Sequence, residues 1–227
     1  MSRKIVIISG ANRGLGKSLV NLLLREPETI VVSLSRSLSD DQKELTGSDS
    51  FKFIKLDLNE YHDYFQLAEL NNYISLTDKI VFISNAGIIH PIKRVGDLSP
   101  DEINTIFNVN AKSPVIICNY FLKNFSTNSI DFVNISSGAA TRSIANWSLY
   151  CSTKMFAKSF FETIALENLE NNKIRVFNLD PGAMDTSMQD EIRKNTFPEK
   201  QYFDDLKIEG KLKTVFEAAS DILRKIR

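Results

Sequence analysis

Cysteine and histidine are scarce in this 227-residue chain, and net charge is absent. Two cysteines, Cys118 and Cys151, cannot form a disulfide framework. Two histidines, His62 and His90, have no ligand spacing, so no metal site is expected. Lys+Arg and Asp+Glu balance at 28 each, leaving no charge excess to attract nucleic acid or an anionic membrane. No apolar run approaches the length of a bilayer crossing. The run Ile-Val-Ile-Ile that follows Met-Ser-Arg-Lys at the start is too short for a signal-peptide core. The Asn-x-Ser sequons at Asn124, Asn134 and Asn146 are then read as chance, Asn134 falling inside an expected buried strand. The expectation is a soluble cytoplasmic protein. Internal repeats, low-complexity tracts and linkers are missing too, so one domain over 1–227 is expected.

What is present is apolar patterning. At 43% hydrophobic, the chain can bury a sizeable core. β-branched and apolar runs at 3–9, 29–35, 51–56, 79–84, 129–136 and 173–179 read as buried strands. Between them, 60–72, 100–125 and 148–170 read as helices, with Pro114 marking a break or a fresh start. A last helix is expected over 211–226. The polar stretch 183–210, with its methionines and aromatics, resists assignment and has the length of a lid. Alternating strands and helices predict an α/β fold, a doubly wound parallel sheet of Rossmann type in one domain.

The first strand runs into Ser9-Gly-Ala-Asn-Arg-Gly-Leu-Gly16 and then a helical pattern, Leu15, Leu19, Leu22, Leu23. Glycines there let the backbone approach a pyrophosphate, and the helix start offers free amides and a positive dipole end. The second strand ends in Ser35-Arg36-Ser37, with no acidic residue before Asp40. An acidic side chain at that point would bind a ribose 2′-hydroxyl, whereas a basic one accepts a 2′-phosphate. Arg36, with Arg13 in the glycine loop, therefore points to NADP(H). Asp57 ends the third strand, where it could bond an adenine amino group or cap the next helix. Asn85-Ala86-Gly87 ends the fourth, and small residues there permit close approach of a flat ligand or simply a turn.

Tyr150 and Lys154 stand four apart, on one face of an expected helix. An ammonium beside a phenol favours the phenolate and lowers the tyrosine pKa from its ordinary value near ~10. A tyrosine tuned that way serves as a general acid or base. A surface helix carrying a tyrosine and a solvated lysine would show the same pattern, so the weight falls on its surroundings.

In order along the chain stand Gly10-x-x-x-Gly14-x-Gly16, Asn85-Ala86-Gly87, Asn110, Ser137 thirteen residues before Tyr150-x-x-x-Lys154, and Pro181-Gly182 with Thr186. This set resembles the short-chain dehydrogenase/reductase family over nearly the whole chain. Trp147-Ser-Leu-Tyr-Cys151, Asp185-Thr-Ser-Met-Gln189 and Gly210-Lys-Leu212 are similar to its sepiapterin reductase and benzil reductase branch.

The resemblance implies that Tyr150 protonates a substrate carbonyl as hydride arrives and that Ser137 bonds the same oxygen. Lys154 would lower the tyrosine pKa and bind the nicotinamide ribose. Asn110 would hold a water linking Lys154 to solvent. It further implies that NADP(H) runs along Gly10, Asn12, Arg13, Gly14, Leu15 and Gly16. From there it would pass Ser35, Arg36, Asp57, Leu58, Asn85, Ala86 and Gly87 to Pro181, Gly182 and Thr186, with Thr186 gripping the carboxamide. Relatives of this kind continue into a seventh strand, which a chain stopping at Arg227 would lack, together with a tetramer contact and a pterin-holding carboxylate. The helix 148–170, with Phe156, Phe160 and Phe161, is then expected to form a homodimer.

The residues expected to face the nicotinamide are largely apolar: Ile88, Ile89, Ala139, Ala140, Trp147, Met184 and Met188. No charge is evidently placed to hold an ionic substrate. The sequence thus predicts an NADPH-dependent carbonyl reductase acting on an apolar or aromatic ketone or diketone. The alternative is a non-catalytic NADP(H)-binding sensor or regulator.

Overall fold

A computed structural model describes residues 3–227. Six strands, β1 (Lys4–Ser9), β2 (Thr29–Ser35), β3 (Phe51–Lys55), β4 (Lys79–Ser84), β5 (Ser129–Ile135) and β6 (Ile174–Leu179), form one parallel sheet in the order β3-β2-β1-β4-β5-β6. Their near-continuous apolar runs are what a sheet covered on both faces requires. Side chains alternate across it. Ile5 and Ile7 join Phe82, Phe132, Phe121 and Phe161 on one face, while Val6 and Ile8 join Val81, Leu19, Leu23 and Ile222 on the other.

The second face is closed by α1 (Gly14–Leu23) and α8 (Val215–Lys225). The first is closed by α4 (Ser113–Asn124), α5 (Ser148–Glu167) and a 3₁₀ segment at Tyr61–Asn72. A short α2 (Asp40–Lys43) follows β2. β1 pairs with β2 on one side and β4 on the other, with Val6 opposite both Val31 and Val81. The chain order reverses there, and in open α/β sheets the crevice beyond the strand ends at that point takes ligands.

The elements depart from the sequence expectation in four places. Residues 60–72 are 3₁₀ rather than α-helical, because their buried residues Tyr64, Leu67 and Leu70 recur every third position. The stretch 100–125 is split into α3 (Pro100–Phe107), a π-turn (Asn108–Lys112) and α4. Pro114 has no N–H to give to a carbonyl four residues back, and the wider turn sits just before it. The unassigned 183–210 contains α6 (Ser187–Lys194) and α7 (Lys200–Ile208). The last helix begins at Val215, not 211, because Lys213 is drawn into a bridge with Met184 and Thr214 caps the helix reciprocally with Glu217. Of the phenylalanines on α5, Phe161 is core, whereas Phe156 is half exposed and lies parallel to Phe160 at 6.3 Å.

Candidate active site

The six parallel strands end along one edge of the sheet, and close packing of small residues joins the ends of β1 and β4 there. Gly10 has φ +65°, and a Cβ there would lie 3.0 Å from Ala86 Cα. The Ser9 hydroxyl accepts from the N–H groups of Asn85 and Ala86, both at 3.1 Å. The Asn85 amide donates to the carbonyls of Ser9 (3.0 Å) and Gly10 (3.1 Å). Asn85-Ala86-Gly87 is therefore a clasp on the glycine loop, and its asparagine side chain points into that loop rather than toward a ligand. Gly16 is bare for the same reason: a Cβ would lie 2.6 Å from Asn85 Nδ2.

The start of α1 has no side-chain cap and no acidic residue in its first turn, so its amides are available to an anion. Leu15 anchors it from the core side. Arg13 and Arg36 are exposed. The nearby Asp41 is taken by Lys17 at 2.8 Å, and no carboxylate among the described residues pairs with either arginine. The loops carrying them are joined by Asn12 Nδ2 donating to Ser37 Oγ at 3.3 Å, with Ser35 Oγ donating to the Ser37 carbonyl at 3.0 Å. Asp57 does not cap the next helix, whose capping position is Glu60. Its Oδ1 instead closes a turn by accepting from Asn59 N–H at 3.0 Å. Leu58 beside it is buried. These features fit a phosphate-bearing dinucleotide: free helix amides, a cradle that Cβ atoms would fill, and two unpaired arginines.

The π-turn swings Asn110 inward, where it is 5% exposed. Its Oδ1 accepts from Ile88 N–H at 2.9 Å while Nδ2 donates to the Ile88 carbonyl at 2.8 Å and to Thr153 Oγ1 at 3.2 Å. Asn110 thus fixes the backbone after Gly87 and ties it to α5. Lys154 Nζ donates to the Ile135 carbonyl at 2.9 Å. A Cβ on Gly87 would sit 3.6 Å from that nitrogen, so Gly87, Asn110 and Lys154 converge.

Tyr150 and Lys154 are both buried, and the expected lowering of the tyrosine is reversed. Burial pushes the Tyr150 phenol up to about 12, with the Ser137 hydroxyl pulling the other way by bonding to its oxygen. Burial pushes the Lys154 ammonium down to about 8, and the charge of Asp180 offsets part of that. Desolvation is the largest cause of both shifts, and Lys154 is not among the groups that act on the Tyr150 phenol.

Past β6, Pro181 is buried and Gly182 turns at φ +78° with its N–H on Asp180 Oδ1 at 2.8 Å. Thr186 opens α6 without capping it, and its methyl lies 3.8 Å from where a Cβ of Gly14 would stand. Thr186 and the glycine loop thus face each other across the cleft.

The apolar residues divide. Ile88, Ile89, Ala139, Trp147 and Met188 share one apolar cluster with Tyr150, whereas Ala140 is buried outside it. Met184 does not join them: its bridge to Lys213 turns it toward Phe177 and Leu179 on the opposite side. Trp147 is no open wall, being 3% exposed. It stacks on Phe203 at 5.0 Å, meets Phe197 at 5.5 Å and stands edge-on to Tyr150 at 5.7 Å. Ile192, Phe197 and Phe203 were missed in the sequence, although Met188/Ile192 and Phe203/Leu206 carry helical spacing within a polar stretch. The α6–α7 segment is fastened by His90 Nε2 at 3.3 Å from Glu191 Oε2 and by Ala145 N–H on Glu199 Oε1 at 3.3 Å.

A family profile described as short chain dehydrogenase matches residues 4–196. The chain is 32% identical over 223 residues to a benzil reductase ((S)-benzoin forming) of Bacillus cereus, covering 92% of this chain and 88% of that one. It is 28% identical over 237 residues to a sepiapterin reductase of Xenopus tropicalis, covering 96% and 89%. Among solved structures, the KRED1-Pglu enzyme superposes with a TM-score of 0.85 at 27% identity, covering 97% of this chain and 95% of that one.

Proposed function

The chain belongs to the short-chain dehydrogenase family of oxidoreductases, and we propose that within it the protein is an NADPH-dependent carbonyl reductase for apolar or aromatic ketones and vicinal diketones. The observation that carries this reading is Tyr150, a buried proton donor set edge-on to Trp147 within an aromatic and aliphatic cluster. An uncharged, flat carbonyl compound suits such walls. The benzil reductase of Bacillus cereus supports the same substrate class.

NADPH would supply the hydride. Gly10, Asn12, Arg13, Gly14, Leu15 and Gly16 would hold its pyrophosphate end on the amides of α1. Arg13 and Arg36 would bond the 2′-phosphate, beside Ser35, with Asp57 and Leu58 at the adenine. Asn85, Ala86 and Gly87 keep that cleft in shape, and Pro181, Gly182 and Thr186 would close over the nicotinamide. Tyr150 gives its proton to the carbonyl oxygen, and Ser137 donates a second hydrogen bond that polarises it. Lys154 supports the phenolate left behind. Asn110 holds the Ile88 backbone, which with Ala139, Met188 and Trp147 shapes the substrate side. Met184 supports the Lys213 bridge instead. In this reading the chain is one domain over 1–227, works in the cytoplasm, and pairs as a homodimer through the exposed Phe156 side of α5.

The test is NADPH oxidation, followed at its absorbance band, with benzil, simple diketones and sepiapterin in parallel. The expected outcome is the highest kcat/KM for an aromatic diketone. A higher value for sepiapterin would overturn the substrate reading. NADPH binding with no oxidation by any carbonyl would favour a cofactor sensor. Light scattering showing a stable tetramer would remove the dimer.

A further inference from the structure

Lys154 sits where its charge is poorly supported. It is 8% exposed, and its ammonium donates to a neutral carbonyl, that of Ile135. A buried ammonium with such a partner tends to lose its proton. Ile135 stands opposite Leu179 on the β5–β6 ladder, and Asp180 is the next residue along. Neighbouring strands lie about 4.8 Å apart and rise about 3.3 Å per residue, so Asp180, itself exposed, stands at the strand end beside the carbonyl that holds the ammonium. Its Oδ1 is fixed by Gly182 N–H at 2.8 Å. Its Oδ2 lies 3.8 Å from where a Cβ on Gly138 would stand, against the residue that follows Ser137.

Resting on the reductase reading, we propose that Asp180 is a positioning residue for proton transfer. It holds Lys154 charged and Tyr150 protonated, biasing the site to give a proton to a carbonyl rather than take one from an alcohol. The titratable and charged groups facing this pair are few. Cys151 and Lys154 share α5 with Tyr150, Ser137 comes from the end of β5, and Asp180 from the end of β6. Among the described residues Asp180 is the one carboxylate acting on both, and it raises both. Cys151, whose thiol burial pushes up, stays neutral.

Asp180→Asn removes the charge and keeps an oxygen for Gly182 N–H. The full chain, labelled at lysine Cε with ¹³C, is titrated by NMR. Lys154 stands apart from the surface lysines by its low midpoint and is identified by its loss in Lys154→Met. In Asp180→Asn the Lys154 midpoint should fall by about half a unit or more, as expected for losing a charge several ångströms away. Asp180→Glu should restore it. The alkaline limb of carbonyl reduction should move to lower pH in Asp180→Asn. An unchanged Lys154 midpoint overturns the proposal, including the case where Asp180→Asn only lowers the yield of folded protein. If the wild-type chain reduces no carbonyl, the NMR midpoint still decides the role of Asp180, and the reductase reading falls alone.

Discussion

The Lys154 ammonium nitrogen lies 5.9 Å from the centre of the Tyr150 ring, one turn further along α5. Burial drives the two apart, taking the phenol to about 12 and the ammonium to about 8. Near neutral pH the site therefore holds a protonated tyrosine beside a lysine that is mostly charged. That is the state in which a proton can be given.

Tyr150→Phe keeps the ring and removes the proton. NADPH binding should survive, and turnover should fall by about 10²–10⁴-fold, the usual share of a positioned acid. Stopped-flow reduction of a diketone, alongside NADPH titration, separates the two effects. A variant that kept most of its turnover would refute the assignment.

Lys154→Met should abolish turnover yet make the fold more stable at pH 7. The lysine midpoint is about 8 folded, against an ordinary value near 10.5. Below pH 8 the folded chain carries a charge that burial disfavours. Between those values the unfolded chain binds more protons, so wild-type stability from this group rises with pH. The methionine variant should gain about 1–3 kcal/mol below pH 8, and that advantage should fade above pH 10. Urea melts at pH 7 and pH 10 test this, and an equal gain at both would contradict it.

Arg13→Ala and Arg36→Ala should each cost about 1.5–3 kcal/mol of NADPH affinity, the range of a charge-assisted bond. NADH affinity should barely change. The wild-type chain should prefer NADPH at least about tenfold. Fluorescence titration with both cofactors measures this, and equal dissociation constants would reject the 2′-phosphate site.

Gly10 and Gly210 share a φ of +65°, but only Gly10 has a neighbour within 4 Å of the missing Cβ. Gly210→Ala should cost about 1 kcal/mol through backbone strain alone. Gly10→Ala should cost about 1–3 kcal/mol more, because Ala86 has to move. It should weaken NADPH as well. Equal losses in denaturant melts would mean that the close approach carries no energy.

Trp147 is the chain's one tryptophan, so its emission reports on the α6–α7 cover. Phe203→Ala should shift that emission to the red and raise KM for benzil about tenfold, the worth of a lost apolar contact. NADPH affinity should stay put. An unshifted spectrum would mean Phe203 does not shield Trp147.

The sequence announced the sheet because each strand is buried on both faces, and an unbroken apolar run such as Ile5–Ile8 has few other homes. It announced the glycine loop and Tyr150-x-x-x-Lys154 because their spacing is local. It did not announce what depends on distant partners. Tyr64, Leu67 and Leu70 read as a helix until their period is seen to be three. Phe197 and Phe203 lie in a charged stretch, and only the folded chain lays them on Trp147. The direction of the tyrosine shift was hidden for the same reason: proximity of Lys154 is visible in sequence, whereas desolvation by surrounding elements is not.

The π-turn at Asn108–Lys112 makes this region sensitive to chain length as well as to residue type. A π-turn accommodates one more residue than an α-helix over the same path. With one residue removed there, the turn would tighten to α-helical winding over the same path, and residues inside it would change their facing by up to about 100° while α3 and α4 keep theirs. Asn110, inside the turn, would leave Ile88, whereas Ile106 on α3 would stay in the cluster around Trp147. The surface of α3 can therefore drift in composition, while the count of residues between Ile106 and Ser113 is fixed by the geometry of a site on the far side of the helix.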